Sequence, residues 1–75
     1  MSSVRVALHI PAETLLRHYR GEAREVRART LDGRSILFPA TALRAVVEPD
    51  GVFGEFALHF DDHHRFLAIE RLRRA

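Results

Sequence analysis

The chain has no cysteine, lysine, tryptophan, asparagine or glutamine, and only one methionine and one tyrosine. Without cysteine there is no disulfide framework and no thiolate metal site. No apolar run approaches the roughly 18 residues of a membrane span. The opening Met1-Ser2-Ser3-Val4-Arg5 lacks the basic-then-apolar layout of a secretory leader. The expected location is therefore the cytoplasm, with no membrane partner. Seventy-five residues bound the chain to a single domain, 1–75, with 73–75 expected as a frayed tail. A domain this short buries only about 60% of the surface its unfolded form exposes, so its stability is marginal. With 47% hydrophobic and 29% charged residues the chain is nonetheless too apolar to stay disordered.

Lysine's absence also explains the charge. All twelve basic residues are arginine, which lifts the sequence pI to about 10.4 although the net charge is only +2. The distribution is uneven. Residues 1–34 hold seven Arg against four acids, 35–62 hold Arg44 against five, and 63–75 hold four Arg against Glu70. Basic ends flank an acidic middle. Such a pattern either neutralises itself across a sheet or presents one basic face to a polyanion.

Hydrophobic periodicity predicts the elements. Val4, Val6, Leu8 and Ile10 alternate with polar or small residues, as in a half-buried strand. Pro11 suits a first helical position, and Ala12, Leu15, Leu16 and Tyr19 then share one helical face up to Gly21. Residues 25–30 and 34–38 alternate again around Asp32-Gly33. A two-residue loop there would set Arg27 opposite Phe38. A three-residue loop, Leu31-Asp32-Gly33, pairs Val26 with Phe38 and Ala28 with Ile36 and gives one consistent buried face. A type I turn with a left-handed Gly33 follows. Pro39 ends that strand. Thr41 is expected to cap one helical turn that points Leu43, Val46 and Val47 inward, and Glu48-Pro49-Asp50-Gly51 reads as a turn.

The longest strand, 52–61, sets Phe56, Leu58 and Phe60 on one face, with Gly54 marking a bulge or a close backbone approach. The last strand is expected over 65–72. A four-residue turn, Asp61 to His64, would place Phe60 opposite Arg65, Leu58 opposite Leu67 and Phe56 opposite Ile69. Phe53, Ala57, Phe66 and Ala68 would then gather on the outer face as a protein-interface candidate. Arg65 and Arg71, at the margins of the inner face, would reach out to water along their stems.

Little in the chain looks catalytic. Ser2, Ser3, Thr14, Tyr19, Thr30, Ser35 and Thr41 are the only hydroxyls, and each has a structural place in a tail, helix, strand or cap. The glycines fall at turns and bulges, and no phosphate loop is present. His59, Asp61, Asp62, His63 and His64 are crowded together, but adjacent turn histidines and a strand histidine do not close a tetrahedron, so no metal site is expected. No catalytic residue, cofactor or small-molecule substrate is expected. Arg17, Arg20, Arg24, Arg27, Arg29 and Arg34 are the polyanion-binding candidates, since the guanidinium fork engages two phosphate oxygens at once. Glu22, Glu25 and Asp32 interrupt that run.

A set of residues in fixed order adds a resemblance. Tyr19-Arg20-Gly21, Leu31-Asp32-Gly33-Arg34, Phe38-Pro39-Ala40, Ala42-Leu43-Arg44, Asp50-Gly51-Val52, Gly54, Phe56, Asp61, Phe66 and Arg71-Leu72 resemble the bacterial family known as domain of unknown function 2835. The chain departs from the usual pattern at Thr41 and at Ala45-Val46. The resemblance covers nearly the whole chain. It implies a stand-alone bacterial cytoplasmic protein, and no catalytic residues, because the family has none assigned.

These readings converge on an α+β domain, a small curled antiparallel sheet of about five strands in the order β-α-β-β-β-β with one helix packed on it. The expected function is a non-enzymatic binding module, nucleic-acid-associated through the arginine surface. The alternative is a protein-interaction or accessory module acting as a homodimer.

Overall fold

A computed structural model describes residues 1–19 and 24–74, with residues 17–19 described in backbone only. The chain runs β1 (Ser2–Pro11), α1 (Ala12–Tyr19), β2 (Glu25–Arg29), β3 (Ser35–Pro39), a 3₁₀ turn (Ala40–Ala45), β4 (Gly51–Phe60) and β5 (Phe66–Arg73). Class and element order are those expected, but the strands do not form one sheet. They divide into a three-stranded antiparallel sheet ordered β1-β4-β5 and a two-stranded sheet β2-β3. The two meet at a single bridge, Val6 to Thr30, beside which Leu31 donates its N–H to the Arg5 carbonyl at 3.0 Å.

One core lies between the sheets. Val6, Leu8, Val52, Phe56 and Leu58 face Val26, Ala28 and Phe38, with Leu15, Leu43 and Val46 closing the ends. Burial alternates along β1, β2 and β3, as a sheet covered on one face requires, while β4 also buries Ala57 and β5 keeps no regular alternation. Helix α1 supplies Leu15, but Leu16 is exposed, because eight residues give only about two turns of apolar stripe. Pro11 is the last residue of β1, paired with Gly51, and the helix begins at Ala12. The 3₁₀ turn starts one residue before Thr41 and has no side-chain cap; its neighbour Val47 is exposed while Leu43 and Val46 are buried.

The β2–β3 hairpin has the expected register, Val26 with Phe38 and Ala28 with Ile36. Thr30 donates its N–H to the Arg34 carbonyl at 2.7 Å, Gly33 donates to the Thr30 carbonyl at 3.0 Å, and Gly33 has φ 92°.

The β4–β5 hairpin corrects the sequence reading. Its loop repeats the geometry of the first: Asp61 donates to the Arg65 carbonyl at 2.9 Å, and His64 to the Asp61 carbonyl at 3.1 Å. The loop is therefore Asp62-His63-His64, three residues instead of four, with His64 at φ 64° where the first hairpin has glycine. The Asp61 carboxylate holds this turn by accepting the N–H of His63 (2.8 Å) and of Arg65 (2.9 Å). Phe60 consequently pairs with Phe66, and a register shift between His59 and Phe60 leaves Leu67 as the extra residue before Ala68 faces His59 and Ile69 faces Leu58.

Of the last three residues, Arg73 and Arg74 are described and Ala75 lies outside the described residues. Arg73 belongs to β5 and pairs with Glu55 at 3.5 Å, and Arg74 bonds Glu48. Gly54 allows this: a methyl there would overlap the Arg73 carbonyl. Arg71 turns inward. It donates to the carbonyls of Phe53 (3.0 Å) and Val46 (2.6 Å), pairs with Glu48 at 3.0 Å, and lies 5.0 Å from the Phe56 ring centroid. One guanidinium thus ties β5 to β4 and to the segment after the 3₁₀ turn, through charge-assisted bonds to two backbone carbonyls.

Candidate functional site

Alternation in β2 buries Val26 and Ala28, each 8% exposed, and so turns Arg27 and Arg29 to the outside. The same alternation in β1 buries Val6 and Leu8 and turns out Arg5, Ala7 and His9. Past the Val6–Thr30 bridge the two strands part. Between them lies a cleft of about 400 Å³ lined by Ala7, His9, Thr14, Glu25, Arg27 and Arg29, with Leu8, Val26 and Ala28 at its inner side. Among the described residues neither Arg27 nor Arg29 forms an ion pair or a side-chain hydrogen bond, and both are exposed. Arg5, also exposed, continues the outward face of β1. On the β4 side of His9 stands Phe53, their ring centroids 6.1 Å apart in an edge-to-face arrangement.

The polyanion candidates therefore separate. Arg27 and Arg29 share the cleft. Arg24 is exposed just ahead of β2, where its carbonyl accepts the Ala40 N–H at 2.9 Å. Arg34 is committed to its own turn: its Nε lies 3.1 Å from the Asp32 carboxylate, which also accepts the Thr30 hydroxyl. The hydrogen bond from Thr30, then that from Arg34, holds the Asp32 carboxyl below its ordinary range. Arg20 and the side chain of Arg17 lie outside the described residues, as do Gly21 and the side chain of Tyr19. Arg5 and His9 are the members that sequence reading missed. They sit one strand away in space but about twenty residues away in sequence from Arg27, and only the β1–β2 contact joins them.

The four interface candidates do not assemble. Phe53 is on the outer face against His9, and Ala68 is there opposite His59. Ala57 is 7% exposed, between Arg5 and Glu70. Phe66 has turned to the inner side, 6.3 Å from the Phe38 ring and 6.0 Å from that of Phe60. The three-residue loop moves Phe66 across the sheet, because a shift of one residue exchanges the faces.

The histidine-rich turn is occupied by structural contacts. Asp61 holds the turn, Asp62 meets the N-terminal ammonium, and His59 lies 3.3 Å from Glu70. Among the described residues no three His, Asp or Glu side chains converge as a metal-ligand group, and no helix is long and apolar enough to cross a membrane.

The turn at Gly33, the close approach at Gly54, the core rings Phe38, Phe56 and Phe66, the Asp61 turn and the Arg71 clamp are now each given a physical role. The family described as "Protein of unknown function (DUF2835)" matches residues 2–72. The chain belongs to this family. Comparison with curated proteins and with solved structures finds no match. In this DUF2835 protein Gly33, Gly54, Phe38, Phe56, Phe66, Asp61 and Arg71, all of which carry the family resemblance, act in turns, bulges and core. Arg27, Arg29 and His9 are not among them, so any function of the cleft has to be argued from its own chemistry.

Proposed function

We propose that this protein is a small, non-enzymatic cytoplasmic module that binds nucleic acid on the outward face of the β1–β2 cleft. The observation that carries the reading is the pair Arg27 and Arg29, exposed, without an ion pair among the described residues, and side by side along one cleft. Residues two apart on one face of a strand spring from the backbone about 7 Å apart, close to the separation of successive phosphates along a nucleic-acid strand. Each guanidinium offers a rigid donor fork to phosphate oxygens. Arg5, exposed on the outward face of β1, extends the positive face at the end away from Glu25. Self-association through the outer sheet face is the weaker reading, because Phe66, its largest anchor, packs on Phe38 and Phe60.

The test is a titration of a labelled oligonucleotide at near-physiological salt with the wild type and with the Arg27→Ala, Arg29→Ala double variant. Stability should stay within about 0.5 kcal/mol, as for exposed substitutions in general, while affinity falls at least about tenfold. Absence of salt-sensitive binding by the wild type removes the proposal, and so does a double variant that binds as well as the parent.

A further inference from the structure

We propose that the cleft selects single-stranded over double-stranded nucleic acid by seating one base against His9 and Phe53 while Arg27 and Arg29 hold the neighbouring phosphates. This rests on the nucleic-acid reading of the cleft. Three observations lead to it. The first is the ring pair. His9 is exposed and Phe53 half-buried, and they meet edge to face on the outside of the sheet, where neither contributes to the core between the sheets. Aromatic rings reachable on an outer face beside arginines are the parts from which sequence-tolerant single-strand sites are built, because every base has a face to stack.

The second is the strand edges. Leu31 bonds the Arg5 carbonyl, so the odd residues of β1 direct their backbone groups toward β2. Thr30 bonds the Arg34 carbonyl, so the odd residues of β2 direct theirs toward β1. The N–H and C=O of His9 and Arg27 thus point into the cleft, beyond the Val6–Thr30 bridge that joins the two strands. They offer donors and acceptors to the edge of an unpaired base, groups that a duplex keeps for its own complement.

The third is size and charge. About 400 Å³ is ample for one flat ring system, which only a strand with unpaired, unstacked bases is free to insert. Among the described residues Glu25 is the one carboxylate lining the cleft. It repels phosphate from that end and can accept from an exocyclic amino group, which orients the strand with its backbone along Arg27 and Arg29.

The experiment uses the full chain with fluorescein-labelled oligothymidine, its duplex with oligoadenosine, and a single strand carrying 2-aminopurine. The single strand should bind at least tenfold tighter than the duplex, and the wild type should quench the 2-aminopurine. His9→Ala, at an exposed position, and Phe53→Leu, checked for folding by thermal melting, should each weaken single-strand binding about fivefold or more and abolish the quenching. Their salt dependence should stay parallel to that of the parent, since no phosphate contact is removed. Equal affinity for duplex, or unchanged quenching in both variants, overturns the single-strand inference and leaves the arginine site standing. Poly-glutamate displacing the oligonucleotide at equal concentration places an acidic peptide in the cleft and overturns it as well. No binding of any strand by the wild type overturns both readings.

Discussion

Gly33 and His64 occupy the same position in two turns of the same kind. Each is the last residue of a three-residue loop, at φ 92° and 64°, donating its N–H back to the first residue of the turn. Their costs differ. At Gly33 nothing lies near a hypothetical side chain, so Gly33→Ala is resisted by the backbone alone and should destabilise the domain by about 1 kcal/mol. His64 already bears that strain. His64→Gly should therefore be neutral or stabilising, by up to about 1 kcal/mol, the left-handed penalty relieved less the added freedom of the unfolded chain. Urea denaturation of the two variants checks both signs, and a His64→Gly protein that loses 1 kcal/mol would show the turn is held otherwise. The first turn was legible because Asp32-Gly33 announces positive φ. The second was not, because a histidine in the left-handed region carries no signal in composition. What marks it is Asp61, whose carboxylate takes two turn N–H groups as the Thr30 hydroxyl takes the Arg34 N–H at 2.9 Å.

At the scale of the element, that one-residue difference decides what β5 contributes. Phe66 lies against Phe38 and Phe60, and its neighbour Leu67, the extra residue at the bulge, is 52% exposed. Phe66→Ala should cost about 2–3 kcal/mol, less than for a fully buried ring, and Leu67→Ala less than about 0.5 kcal/mol. Thermal melts of the pair check the register directly, since the four-residue loop reverses the order. The alternation in β1 to β3 was readable because each buries one face. The β5 register was not, because Phe66, Leu67, Ala68 and Ile69 form a continuous apolar run that fits either parity.

Glu48 provides a pH test of the clamp between β5 and the segment before β4. The hydrogen bond from Arg74, together with the charges of Arg74 and Arg71, holds its carboxyl below the ordinary value of 4.5. On acidification the unfolded chain takes up the Glu48 proton first, near 4.5, while the folded chain resists. The stabilisation is complete above that pH and is lost as pH falls through the lower native value. Asp32, also depressed, acts in the same sense. Glu48→Gln should be less stable than the parent at neutral pH and show a shallower decline in acid. Parallel acid limbs for the two proteins would show that the ion pairs do not couple to folding.

For the molecule as a whole, the division into two sheets is what creates a candidate site. A single sheet would have continued the Val6–Thr30 pairing and closed β1 onto β2. Here the strands separate beyond that bridge, and Arg27, Arg29 and His9 line the opening. The arginines were legible as outward residues of an alternating strand. Their company was not, because His9 and Phe53 reach them only through the contacts of β1 with both neighbours. The measurement that bears most directly on the account is the salt dependence of single-strand binding, as the slope of log K against log salt concentration. Each phosphate neutralised contributes about −0.7 for a single strand, so the Arg27→Ala, Arg29→Ala variant should lose roughly 1.4 from the wild-type slope. A wild-type slope near zero, or one the two substitutions leave unchanged, would contradict a phosphate-binding cleft.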